Sequence, residues 1–267
     1  MSFVAALDER YRVILCDIWG VVHDGVQLYP GAADRLCQWR REGRSVVLIT
    51  NAPRPAQAVE QQLDRIGLPR DAWDGIATSG EAGIAALVKL GEPVGFLGTP
   101  DDRAILEGRG IEIAADGNFA HLACTGLDEE RPHPEDYAGE LVGWAAANIM
   151  MHCLNPDRTV IRGGVPEACA GAIADIYEAI GGAVAWYGKP HRTIYDHALR
   201  LAGDPLPSEV LAIGDSLVTD VLGAARMGFD CIFVTGGIHA GQPFPPKFGA
   251  ENGLGEWRPV AVVDSLG

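Results

Sequence analysis

An α/β fold built on a doubly wound parallel sheet is predicted by three features of this 267-residue chain. Apolar runs without alternation, such as Val13-Ile14-Leu15-Cys16 and Val46-Val47-Leu48-Ile49, have the pattern of strands buried on both faces. Stripes of helical period lie between them. The runs stop at polar residues, where open α/β sheets gather ligands. Repeated strand–helix units of this kind imply right-handed crossovers.

Taken in order, Val13–Cys16 reads as the first strand and ends at Asp17. Ala32, Leu36 and Trp39 recur at i, i+4, i+7 and predict a helix that stops at Gly43. The second strand is Val46–Thr50. Pro55 opens the next helix, whose inner stripe is Val59, Leu63 and Ile66 and whose end is Gly67. Ile76–Thr78 is a short third strand. The pattern resumes after Tyr187 with a helix presenting Ile194, His197, Ala198 and Leu201. There follow the strand Val210–Ile213, a helix over 218–227, the strand Cys231–Val234 and a strand near Val260–Val263. Gly236–Gly255, rich in Gly and Pro, reads as a loop.

Between these halves runs a second α/β series. Its strands are predicted near Val94–Leu97, His121–Cys124, Met150–Leu154 and Ala183–Trp186, and its helices near 80–90, 101–108, 134–148 and 165–180. Gly163-Gly164 and Gly181-Gly182 read as turn or hinge glycines. The stretch can form its own core and interrupts the first sheet's sequence. We therefore expect an inserted domain at 79–186, moving on hinges near Ser79 and Tyr187, with the main domain at 1–78 and 187–267.

Twenty-one Lys and Arg against 36 Asp and Glu give a formal charge of −15. So acidic a chain is unsuited to coating nucleic acid or an anionic membrane. No apolar run approaches the roughly 18 residues of a membrane helix, and no signal peptide is visible. The six cysteines form no C-x-x-C pair and lie mostly in apolar runs, which fits free thiols in the cytoplasm. The sequence carries no signal for an oligomeric state.

The chemistry lies at the strand ends. Asp17 ends the first strand, Thr50-Asn51 the second, Lys189 precedes a helix, and Asp215 ends a later strand with Asp220 five residues on. Asp17 alone reads as a turn cap; the ordered set points to phosphate chemistry. Asp17, Asp215 and a backbone carbonyl of the Asp17 loop can supply oxygen ligands to a hard divalent cation. The Thr50 hydroxyl and Asn51 N–H would face a phosphate oxygen, and Lys189 would neutralise charge.

This set resembles the haloacid dehalogenase superfamily over nearly the whole chain, and in detail its class IIA branch of sugar-phosphate, nucleotide and p-nitrophenyl phosphatases. The matching stretches are Cys16-Asp17-Ile18-x-Gly20-Val21, Pro30-Gly31-Ala32, Leu48-Ile49-Thr50-Asn51, Asn155-Pro156-Asp157, Tyr187-Gly188-Lys189-Pro190 and Gly214-Asp215-Ser216-x-x-Thr219-Asp220. The resemblance implies a Rossmann-like core with a C2-type cap at the insertion. It implies an Asp17 nucleophile that forms an aspartyl-phosphate, and a small phosphorylated metabolite as substrate. Magnesium would be held by Asp17, the carbonyl of Trp19 and Asp215, with Asp220 ordering the metal's water shell or Lys189.

Trp19 departs from the pattern. The superfamily's phosphatases carry an Asp there, as general acid to the leaving group and then base to water, and an indole can be neither. Losing that function typically costs roughly 10²–10⁴-fold. A slow phosphatase, a substrate with a good leaving group, or a borrowed acid would each accommodate the change. His23 and Asp24 are the nearest substitutes, although both read as exposed turn residues before Gly25. The Trp19 side chain is expected to point toward the leaving group and so to join Thr50, Asn51 and Lys189 in binding substrate. The rival reading is a binding or regulatory protein with an impaired site on the same fold.

Overall fold

The computed structural model describes residues 4, 6–115, 117–162, 165–236 and 243–267. The chain divides into two compact units, one of Met1–Thr50, Gln57–Ala77 and Lys189–Gly267, the other of Asn51–Ala56 and Thr78–Gly188. In chain order the elements begin with β1 (Val13–Asp17), α1 (Ala32–Arg41), β2 (Ser45–Thr50), α2 (Ala56–Ile66) and β3 (Gly75–Thr78). They continue with α3 (Ser79–Leu90), β4 (Gly95–Leu97), α4 (Pro100–Gly108), β5 (His121–Cys124), α5 (Ala138–Ala146) and β6 (Met150–Cys153). Next are β7 (Thr159–Arg162), β8 (Val165–Ala168), α6 (Ala170–Ala179) and β9 (Ala183–Trp186). The last are α7 (Arg192–Leu201), β10 (Val210–Gly214), α8 (Leu222–Met227), β11 (Asp230–Val234), α9 (Phe248–Glu251) and β12 (Ala261–Val263).

The first unit holds a six-stranded sheet of order β12-β11-β10-β1-β2-β3. From β12 to β2 every pairing is parallel. All five residues of β1 are buried, as its unbroken apolar run requires. On one face Val13, Leu15, Val47 and Ile49 pack with Ile194 and Ala198 of α7 and Leu222 and Ala224 of α8. Each fully buried Leu, Ile or Val there contributes roughly 1.5–3 kcal/mol. Leu201, expected to share one face of α7 with Ile194 and Ala198, is 45% exposed, whereas those two are buried.

The second unit carries the parallel sheet β4-β5-β6-β9 and the antiparallel hairpin β7-β8. Its sheet is covered on one face by α5 and α6, through Leu141, Ile173 and Tyr177, and on the other by α3 and α4, through Ile84, Leu87 and Leu106.

Three predicted elements are corrected. The helix expected over 165–180 starts only at Ala170, because 165–168 is strand β8, paired with β7. Pro166 lacks the N–H of a regular helix interior but is tolerated in an exposed strand. The helix expected over 218–227 opens with a wide π-type turn, Leu217–Val221, before α8. The Gly/Pro-rich stretch contains α9, with Phe248 buried against Phe244 and Trp257. Gly163-Gly164, residues 237–242 of that stretch, and positions 1–3 and 5 of the segment searched for a signal lie outside the described residues. Among the described residues no helix is long and apolar enough to cross a membrane.

Candidate active site

Parallel register brings three strand ends of the first unit together. Asp17 pairs with Ile49, so Thr50 lies one residue beyond it on β2. Cys16 pairs with Ile213, which sets Gly214 opposite Asp17 and Asp215 just past the end of β10. Strands β1 and β10 meet where the sheet's order reverses, the place at which this architecture opens a crevice. Lys189 reaches the same point from the segment before α7. The Asp17, Thr50, Lys189, Asp215 and Asp220 residues are each no more than 9% exposed.

The Lys189 ammonium donates to Asp17 Oδ1 and, at 2.7 Å, to Asp220 Oδ1. The second Asp220 oxygen accepts the Ser216 N–H at 3.2 Å and the Thr219 hydroxyl at 3.4 Å. Asp220 thus fixes the lysine and is itself fixed by the turn that carries it. Carboxylate oxygens of Asp17, Asp215 and Asp220 all lie within 4.8 Å of one another.

Three carboxylates against one ammonium leave a formal charge of −2 in a buried cluster. Burial is the largest influence on the Asp17 carboxyl and raises it well above its usual range; Asp220 adds to the rise, Lys189 opposes it, and Asp215 adds again. Such an excess of buried negative charge is costly unless a cation offsets it. An all-oxygen set of this sign and charge suits a hard divalent ion, and magnesium fits the residues present.

Gly20 completes this geometry. Its φ is +86°, and a Cβ on it would come within 2.0 Å of Asp215 Oδ2. Only glycine lets the loop after β1 pass so close to that carboxylate. Gly20→Ala is expected to destabilise the protein by about 1–3 kcal/mol, through backbone strain and displacement of Asp215. Urea denaturation checks this, and an unchanged midpoint would rule it out.

Trp19 packs on the turn that follows. Its ring lies edge-on to the His23 imidazole, centroids 5.3 Å apart at 74°. Gly25 has φ +96°, and a Cβ there would lie 2.4 Å from Trp19 Cη2. His23 is 2% exposed, which corrects its reading as an exposed turn residue. Its Nδ1 accepts the Gly25 N–H at 2.9 Å, and burial holds its pKa below the ordinary value. Neutral His23 therefore carries its proton on Nε2, and taking up another would break the Gly25 bond.

Asp24 Oδ1 accepts the Val26 and Gln27 N–H groups at 2.9 and 2.8 Å, a turn cap. These bonds, Gln27's first, hold its carboxyl below the usual range. Asp24 is thus ionised at neutral pH and has no proton to give.

Asn51 belongs to the second unit, where its Nδ2 donates to Asp157 Oδ1 at 2.8 Å. The Asn155-Pro156-Asp157 turn, closed by Asp157 N–H to Asn155 Oδ1 at 3.2 Å, thereby ties the segment beginning at Asn51 to the end of β6. Position and burial made the acidic cluster readable from sequence. Gly20 and the burial of His23 carried no such signal.

Two family models match the chain, "Haloacid dehalogenase-like hydrolase" over residues 14–112 and a HAD-hydrolase-like model over 186–267. A crystal structure of a haloacid dehalogenase-like hydrolase from Brucella suis 1330 is 36% identical, covers 98% of this chain and 97% of its own, and superposes with a TM-score of 0.85. The chain belongs to the haloacid dehalogenase-like hydrolases. Within this family it is similar to the ribonucleotide monophosphatase NagD of Escherichia coli K12, 27% identical over 88% of this chain and 94% of that protein. The 5'-nucleotidase YutF of Bacillus subtilis 168 is 24% identical over 94% of this chain and 99% of that one. These relatives set the hydrolase in the class IIA branch.

Proposed function

We propose that this haloacid dehalogenase-like hydrolase is a magnesium-dependent phosphatase of small phosphate esters with Asp17 as its nucleophile. The observation that carries the reading is the buried Asp17–Lys189–Asp220 chain beside Asp215. Asp17 Oδ attacks phosphorus, the bond from phosphorus to the ester oxygen breaks, and an aspartyl-phosphate forms; water then attacks the same phosphorus and returns the carboxylate. Lys189 orients Asp17 and offsets charge on the phosphoryl oxygens, while the Thr50 hydroxyl and Asn51 N–H hold those oxygens.

Asp17, Asp215 and the Trp19 carbonyl would hold magnesium, with Asp220 acting through Lys189 or a metal-bound water. When bound, the ion neutralises the phosphoryl group's negative charge. With an indole at residue 19 no carboxyl protonates the leaving group, so esters of acidic alcohols and phenols are favoured. The second unit serves as the family's C2-type cap. The relatives' names, a ribonucleotide monophosphatase and a 5'-nucleotidase, add nucleoside monophosphates to the screen, as esters of ordinary alcohols on which turnover is expected to be slow.

Steady-state turnover of p-nitrophenyl phosphate, with magnesium and again with chelator, tests the proposal. Magnesium-dependent release of p-nitrophenol is expected. No turnover of this ester or of a panel of phosphorylated metabolites would favour the rival reading, a binding protein with an impaired site.

A further inference from the structure

The second unit holds a polar chain that the phosphatase reading does not use. Glu92 Oε1 lies 3.3 Å from His121 Nε2, His121 Nδ1 lies 2.8 Å from His152 Nε2, and His152 Nδ1 lies 2.7 Å from the Tyr187 hydroxyl. The four residues come from the connection before β4, from β5, from β6 and from the residue after β9. His152 and Tyr187 are 5% and 7% exposed.

Donor and acceptor counting fixes the direction of this chain. The Glu92 carboxylate, 3.3 Å from Nε2, favours the His121 proton on that nitrogen. Neutral His121 then accepts at Nδ1, His152 donates from Nε2 and accepts at Nδ1, and the Tyr187 hydroxyl donates. His152 and the Tyr187 hydroxyl are then satisfied. Adding a proton at His121 or His152 reverses the inner bonds: His152 now carries a proton on Nδ1 and presents it to the Tyr187 oxygen. The Tyr187 O–H must then turn from His152, its only hydrogen-bond partner among the described residues, in surroundings contributed by Ile84, Leu87 and Leu106. A buried hydroxyl proton without an acceptor is costly.

We propose that Glu92, His121, His152 and Tyr187 form an acid-released clasp that pins Tyr187, and with it the backbone leading to Lys189, to strand β6.

The other groups packed on this face do not replace the clasp's chemistry. Helices α3 and α4 contribute apolar side chains, buried Asp102 pairs with Arg54, Glu81 with Arg109 and Arg103 with Glu107, and Lys89 is exposed. A metal bridging the two histidines would need a third ligand. Among the described residues the one group of three such ligands is Asp17, Asp215 and Asp220. Burial, and next the His121 neighbour, lower His152 from an ordinary 6.5 to about 4. A histidine with a lowered native pKa binds its proton more tightly once released, so opening is favoured as pH falls from 6.5 towards about 4.

Amide hydrogen exchange of the full chain near pH 7 and near pH 5 tests the clasp. After correction for intrinsic rates, peptides covering 183–189 should exchange roughly tenfold faster in acid, while Val13–Asp17 stays protected. Tyr187→Phe should exchange fast at both pH values. Glu92→Gln, which removes the negative charge at the outer end of the chain, should move the transition to lower pH. An unchanged rate at 183–189 with β1 still protected would overturn the proposal. So would a pH response that survives Tyr187→Phe, or a transition left in place by Glu92→Gln.

Discussion

Asp17→Asn is expected to lower p-nitrophenyl phosphate turnover by a factor on the order of 10³ or more while leaving the protein as stable as before, or more so. The amide keeps the size of the carboxyl but cannot attack phosphorus. Lys189 keeps its 2.7 Å bond to Asp220, so the lysine is not orphaned. The cluster retains two carboxylates and one ammonium, a formal charge of −1 instead of −2. The stability change follows from the sign of the Asp17 shift. Its folded pKa is raised above the ordinary 3.8, so above that pH the unfolded chain gives up the proton first and ionisation opposes folding. Removing the ionisable group removes that opposition in the metal-free protein. Thermal melts in chelator, set beside turnover in magnesium, measure both effects. A variant that kept a tenth of wild-type turnover would remove Asp17 from the role of nucleophile.

The strands and the acidic cluster were legible because burial and sequence agree there. Val13–Asp17 is continuously apolar up to its acid, since β1 is buried along its whole length and ends where the sheet's order reverses. The hairpin of β7 and β8 was not legible. The described side chains of β8 are exposed or half-exposed, and Val165-Pro166-Glu167-Ala168 shows no alternation to separate it from the helix that follows. Gly20 matters through its approach to Asp215, a long-range fact that a residue without a side chain does not announce. The Asp24-Gly25 signal gave the turn role of Asp24, although that residue is half-buried, and was wrong for His23, whose ring turns inward to Gly25 N–H and Trp19. The clasp stayed hidden because its histidines become neighbours only once β5 and β6 pair with Ala123 opposite His152.

Trp19→Asp is expected to raise turnover of alkyl phosphates by roughly 10²–10⁴-fold, and that of p-nitrophenyl phosphate far less. Alkoxide leaving groups need a proton, whereas p-nitrophenolate departs without one. The expectation rests on the acid that the family resemblance implies at residue 19, and on the local charge. A carboxyl introduced two residues after Asp17, next to the Gly20 that approaches Asp215, is pushed towards its protonated form, the state a general acid must occupy. Neither existing neighbour supplies that proton: Asp24 is ionised in its turn, and His23 is held neutral by burial. The indole is partly exposed and rests on Gly25, so its loss should cost roughly 1–3 kcal/mol, less than removal of a fully buried aromatic ring. Trp19→Asn opens the same space without an acid and should accelerate neither ester. If both variants changed the two substrates equally, while remaining folded by circular dichroism, the indole would be acting through space alone, and residue 19 would not be where this hydrolase lacks its acid.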